Sequence, residues 1–198
     1  MSGPAPIEVV NAGADTWHDI ERLFGRTGAS NGCWCQYWIL GPEYARRERS
    51  WNQRDLARQI RGGSAGLVAY RDGEAVGWAR FTPRTELEWL LSRFSAYDFA
   101  TADAWSLSCF FVARSARGAG VMTRLIEFAA QWGRDHHTVV EGYPIDTEAD
   151  GATRNTFPGT LHAFVDAGFV EQGRLRNDRA VVVSGAELGS GKSRDPSH

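Results

Sequence analysis

Long apolar runs are missing from this sequence. None approaches the roughly 20 consecutive apolar residues of a membrane-spanning helix, and the opening MSGPAPIEVV has no apolar secretion-signal core. No membrane association is expected, and the expected location is the cytoplasm. An excess of positive charge is missing too. Twenty-two Lys and Arg against 24 Asp and Glu leave a net charge of −2, without the basic face that nonspecific nucleic-acid binding requires. Cysteine is scarce: Cys33, Cys35 and Cys109 form no disulfide framework, and Cys33-x-Cys35 without a second ligand pair predicts no metal site. Internal repeats are absent.

What is present describes an ordinary folded protein. At 198 residues with 42% hydrophobic and 23% charged side chains, the chain is long enough for a full core. One domain is expected over residues 1–183, followed by a Ser/Gly/charged tail, 184–198, predicted to be disordered. In that tail Gly191-Lys192-Ser193 fails as a nucleotide loop, because Gly185 stands one position too early and no helix follows. Eight tryptophans exceed the usual needs of a core this size, so some are expected to line a pocket.

The informative stretch runs from Ala104 to Trp132. Trp105–Val112 is an apolar, aromatic-rich run suited to a strand buried on both faces. Arg114-Ser-Ala-Arg117-Gly118-Ala119-Gly120 then breaks the pattern. Beyond it Met122, Leu125, Ile126, Ala129 and Trp132 recur at helical spacing. A strand, a Gly-rich turn and a helix point backbone N–H groups and a helix N-terminus at one place. That arrangement suits a phosphate cradle, with a plain tight turn as the alternative.

Around this centre the pattern predicts a strand at Ile7–Val10 and a helix from Trp17 to Phe24, capped by Asp15 or Thr16 and stopped by Gly25. Two helical pieces are predicted within Pro42–Arg61, the second starting at Asn52. A hairpin joins Gly66–Tyr70 to Ala75–Thr82 through Arg71-Asp-Gly-Glu74. Pro83–Asp103 reads as irregular, Thr138–Tyr143 as a buried strand, Pro158–Ala167 as a short helix and Arg179–Val183 as a last strand. Asn31–Trp38 is too aromatic for a solvated loop; it is either a pocket wall or a satellite core.

Val112 followed by Arg117-x-x-Gly120-x-Met122 resembles the cofactor turn of the GNAT superfamily of acyl-CoA-dependent N-acetyltransferases, with Met where the family has a small residue. The hairpin, the Ala167-Gly-Phe169 segment and Glu141-Gly-Tyr-Pro144 are similar to further landmarks of that family. The last of these, with Cys33-Trp-Cys35, resembles a bacterial subset with uncharacterised substrates. The resemblance implies a mixed α/β (α+β) fold: a central, mostly antiparallel twisted sheet, splayed in the middle and flanked by helices. It implies acetyl-CoA as acyl donor, with Phe110, Phe111 and Val112 along its pantetheine arm and Arg117, Gly118, Ala119, Gly120, Val121, Met122 and Thr123 on its pyrophosphate. The expected acceptor is a small-molecule amine, and the expected assembly is a monomer or homodimer.

The side chains that usually move protons in that family do not carry over. Its frequent glutamate base matches Ser106, its tyrosine acid matches Phe164, and an asparagine matches Phe157. Local reading puts Glu141 first as base, because a carboxylate inside an apolar strand is costly unless poised or paired; a core arginine partner is the alternative. His162 is a candidate acid or a surface residue, and Cys109 a small packing residue or an acyl carrier. Trp34, Trp38 and Trp105 are the candidate acceptor-binding residues, and acidic Asp146–Asp150 suggests a cationic, partly apolar acceptor. The expected function is transfer of acetyl from acetyl-CoA to the primary amine of a small molecule, such as an amine antibiotic or metabolite. The alternatives are an acyl-CoA-binding regulator with reduced catalysis and a protein N-terminal or lysine acetyltransferase.

Overall fold

The computed structural model describes residues 5–63, 65–99 and 101–184. The first elements are β1 (Glu8–Asn11), α1 (Trp17–Phe24), α2 (Tyr37–Leu40), α3 (Arg49–Arg61) and the hairpin β2 (Gly66–Arg71)–β3 (Glu74–Pro83). There follow α4 (Glu88–Arg93), β4 (Trp105–Val112), α5 (Val121–Asp135), β5 (Val140–Gly142), α6 (Leu161–Asp166), β6 (Val170–Arg176) and β7 (Arg179–Ser184). Ser184 closes β7 rather than opening a tail. The expected tail beyond it, with Gly191-Lys192-Ser193, lies outside the described residues.

Seven strands form one sheet in the order β1-β2-β3-β4-β5-β7-β6. Every ladder is antiparallel except β4–β5, and that one is short: Trp105, Ser106 and Leu107 pair with Val140, Glu141 and Gly142. Beyond Leu107 the two strands part, so the sheet is splayed in its middle as the family resemblance implied. The departure has a local cause. β5 runs directly into Tyr143-Pro144, and proline has no N–H to continue a ladder.

Helix α5 covers one face of the sheet. Its buried stripe, Val121, Leu125, Ile126, Ala129 and Ala130, joins Leu107, Phe110, Phe164 and Val182 in the largest apolar cluster. Gly142 permits this close fit, since a Cβ there would sit 2.4 Å from Phe164 Cε1. On the other face α1 and α3 bury Ile20, Phe24, Leu56 and Ile60 against Val68 and Trp78. A third, aromatic cluster unites Trp38, Leu87, Leu90 and Tyr143.

Three local expectations differ from the structure. Asn52 does not start a helix: α3 begins at Arg49, and the buried Asn52 amide donates to the carbonyls of Gly32 and Tyr44 at 2.8 and 2.9 Å. The stretch read as irregular contains α4. Strand β6 was not expected from its sequence, because Val170–Arg176 is largely exposed and carries no apolar run.

Candidate functional site

The strand–turn–helix unit builds an open cradle. Gly118 and Gly120 sit at φ 74 and 79, in the left-handed region that other residues enter at a cost, and no atom would meet a Cβ at either position within 4 Å. The N–H of Arg117 is spent on Arg114 O, that of Ala119 on Ala116 O and that of Arg124 on Gly120 O. Among the described residues, the N–H groups of Gly118, Gly120, Val121, Met122 and Thr123 donate to no backbone acceptor. No side chain caps α5 and no acid occupies its first turn, so the positive end of the helix dipole is open. A cavity of about 600 Å³ lies against this end, lined by Phe110, Phe111, Val112, Arg117, Gly118, Gly120, Val121, Met122 and Thr123, with Arg154–Phe157 opposite. The arrangement suits a phosphate-bearing ligand with an extended apolar arm. Ala119 is the exception among the expected cradle residues: its N–H closes the turn, and it borders a neighbouring depression instead.

A second cavity of about 350 Å³ opens on the other side of the splay. A bulge creates this wall of β4. Arg80 pairs with Cys109 and Phe81 with Leu107, leaving Ser108 extra. Leu107 and Phe110 therefore pack with α5, whereas Cys109 and Phe111 pack with α1 and α3. Ser108 and Cys109 both line the second cavity, together with Cys33, Cys35, Tyr37, Trp38, Tyr44, Arg176, Asp178 and Arg179. The Trp38 indole donates to Ser108 O at 2.9 Å, and the Ser108 hydroxyl has no partner among the described residues. Phe110, Asn155 and Phe157 border both cavities. Between them the Phe110 N–H donates to Phe157 O at 2.6 Å. The strand donor expected to face a pantetheine arm is thus already engaged by the chain.

The cysteines meet around a buried cation. Cys35 and Cys109 sulfurs lie 3.4 Å apart, and fully buried Arg80 donates to Cys35 O and Gln59 Oε1, both at 2.8 Å. The hydrogen bond shared with Cys109 lowers the Cys35 thiol against the opposing effect of burial, and Arg80 assists. Burial, with Cys35 adding to it, pushes the Cys33 thiol up to about 12. Backbone strain accompanies this loop, since Trp34 and Cys35 adopt φ 45 and 54. Among the described residues no group of three His, Cys, Asp or Glu is placed to hold a metal ion.

Several expected site residues are not brought to either cavity. Glu141 is 2% exposed and bound to Arg84 Nη1 at 2.8 Å, to Ser106 Oγ at 3.2 Å and to the Tyr143 hydroxyl. Burial raises its carboxyl while Tyr143, Arg84 and Ser106 oppose that rise. The arginine-paired alternative describes it, and it lines neither cavity. The His162 side chain is 86% exposed and paired with Asp166, because it stands on the outer face of α6. Trp34 is core, 6.0 Å from Trp17 and 5.3 Å from Phe24 between ring centroids. Trp105, at the closed end of β4, packs on Phe81 and Trp132. Of the three expected tryptophans only Trp38 reaches the second cavity. Asp146 is held by Arg174 at 2.8 Å, and no residue of Asp146–Asp150 lines that cavity. Phe164 is buried and Phe157 stands between the cavities.

The sequence reading missed Arg154, Asn155, Arg176 and Arg179. Their polar segments carry no motif, and only the return of the chain across the splay places them. The Ser108 bulge has no sequence signal either.

Residues 32–150 match the model of the acetyltransferase (GNAT) family. No curated protein sequence matches the chain. Among solved structures, the histone acetyltransferase HPA2 and related acetyltransferase of Corynebacterium glutamicum is 18% identical, with a TM-score of 0.60 over 93% of this chain and 99% of the other. An agmatine N-acetyltransferase in its apo form is 15% identical, with a TM-score of 0.55 over 89% and 97%. The PaiA N-acetyltransferase of Thermoplasma acidophilum, solved with coenzyme A, is 10% identical, with a TM-score of 0.50 over 91% and 99%. At these identities the likeness concerns the fold.

Proposed function

The chain belongs to the GNAT family of acetyltransferases, and from that premise we propose that it is an acetyl-CoA-dependent N-acetyltransferase acting on the primary amine of a small molecule. The observation that carries this reading is the pair of cavities meeting at the splay: an anion cradle on one side, a smaller aromatic-lined pocket on the other, and Phe110 and Phe157 between them. The pyrophosphate of the donor takes the five open N–H groups of Gly118 and Gly120–Thr123, with Arg117 and Arg154 beside it. The pantetheine arm follows β4 to the gap beyond Leu107, breaking the Phe110–Phe157 hydrogen bond and displacing that segment. The acceptor fills the second cavity, whose volume of about 350 Å³ suits a small molecule better than a protein terminus.

The neutral amine attacks the thioester carbonyl; a C–N bond forms, the C–S bond breaks and coenzyme A leaves as thiolate. A thiol pKa of about 8.5 lets it leave without a dedicated acid, consistent with Phe164 at the family's tyrosine position. Neither Glu141 nor His162 lines the acceptor cavity, so the proton of the amine passes to solvent water rather than directly to either of them. Calorimetry with coenzyme A and mass spectrometry of products from an amine panel test the reading. Tight coenzyme A binding without acetylation of any amine would make the chain a regulatory acyl-CoA binder instead.

A further inference from the structure

The acceptor cavity is cationic where the sequence suggested an acidic one. Among its lining residues two arginines, Arg176 and Arg179, face one aspartate, Asp178. Asp178 is partly engaged, because its Oδ2 accepts the Thr153 N–H at 3.1 Å. Arg179 is 9% exposed, yet among the described residues its guanidinium makes one hydrogen bond, from Nη1 to Tyr143 O at 3.1 Å, and no ion pair within 4 Å. Its other nitrogens are not among the buried polar atoms without a partner, so they remain accessible. Burial lowers the Arg179 pKa, the nearby Asp178 carboxylate opposes that fall, and Arg176 adds to it. A guanidinium this deep is costly unless an acceptor satisfies its fork.

The position of that fork defines what it reads. The Arg179 Cζ lies 5.5 Å from the Trp38 ring centroid, while the indole N–H of the same ring is bonded to Ser108 O at the bulge. One indole thus separates the open end of the splay from the arginine. Tyr37, Tyr44 and Trp38 supply apolar surface along the cavity.

Resting on the reading of this cavity as the acceptor site, we propose that the acceptor is an amino carboxylate, its amine directed to β4 and its carboxylate held by Arg179 with Arg176. Planar guanidinium and planar carboxylate match as a two-pronged hydrogen-bonded pair, which an ammonium or an uncharged amide cannot reproduce. The same two arginines repel the cationic end of a diamine, so the class excluded is the polyamine-like acceptor.

The test uses matched sets: phenylalanine, phenylalaninamide and phenethylamine, with tryptophan and tryptamine, as acceptors. Their N-acetylated forms serve as binding probes. The free carboxylate should raise kcat/KM, and tighten binding of the acetylated probe, by about tenfold to hundredfold over its amide or decarboxylated partner. Arg179→Gln and, on the exposed side, Arg176→Gln should erase that discrimination through KM, and Arg179→Lys should restore part of it. Equal or better binding of the decarboxylated probes would overturn the proposal, as would discrimination that survives in a folded Arg176→Gln, Arg179→Gln pair. Carboxylate-selective binding without turnover would uphold the site and refute acetyl transfer, so the two failures stay distinct.

Discussion

Replacing Glu141 by alanine is expected to destabilise the fold heavily and to leave the chemistry intact in whatever protein remains folded. The carboxylate lies 2.8 Å from Arg84 Nη1, and the two side chains are 6% and 2% exposed, so solvent screens neither charge. Arg84 is fixed independently by Thr101 O and by the Phe99 ring, 4.6 Å from Cζ. It cannot swing out to water when its partner is removed. Breaking a buried pair by removing one member costs about 3–5 kcal/mol. At about 2–4 °C per kcal/mol for a domain of this size, the melting temperature should fall by about 6–20 °C. The double change Arg84→Met with Glu141→Leu should recover most of that loss, since Ser106 and Tyr143 still bond each other at 2.7 Å.

The pH dependence has a definite sign. Burial raises the Glu141 carboxyl against the opposing Tyr143, Arg84 and Ser106. Between the unfolded value near ~4.3 and the folded value, the folded chain therefore holds a proton that the unfolded chain has released, and above the folded value Glu141 is the anion paired with Arg84. That stability is fully present below ~4.3 and is lost as pH rises through the folded value, so the gap between parent and alanine variant should narrow with rising pH. Calorimetric melting across pH, with kcat measured well below both transitions, provides the assay. A Glu141→Ala protein that melts with the parent but loses about 10²–10⁴ in kcat would restore Glu141 as a catalytic base.

Gly120→Glu should weaken coenzyme A binding by at least about a hundredfold, because it strains a left-handed position and sets a carboxylate among the open N–H groups; unchanged affinity by calorimetry would remove the turn from the donor site. Trp38→Ala should raise the acceptor KM at constant coenzyme A affinity. Trp34→Ala should instead cost about 3–5 kcal/mol of stability at unchanged acceptor KM, and the reverse pattern would exchange their roles. With its thiol pushed up to about 12, Cys33 should stay unmodified by iodoacetamide at pH 8 while a free-cysteine peptide is consumed. Peptide mapping that finds Cys33 alkylated first would contradict the burial described for it.

The sequence by itself determined the elements whose causes are local. The run Trp105–Val112, the left-handed glycines at 118 and 120 and the 3.6-residue stripe of α5 each depend on residues close in the chain, and together they specify strand, cradle and helix. The hairpin of β2 and β3 follows from its Asp72-Gly73 turn in the same way. Tertiary structure alone decided the rest, because the partners are far apart in sequence. Glu141 became a structural anion when Arg84, 57 residues earlier, was brought beside it. The mostly exposed β6 exists because β7 offers it a ladder, and alternation on an edge strand with little burial leaves no pattern to read. Trp34 and Trp38 are four residues apart, yet one packs on Phe24 and the other opens onto the cavity. Trp34 itself and the following Cys35 are left-handed and α2 starts at Tyr37, so the chain turns between the two rings. The charge of the acceptor cavity likewise came from Arg176 and Arg179 at the ends of β6 and β7, which reach Trp38 only across the folded sheet.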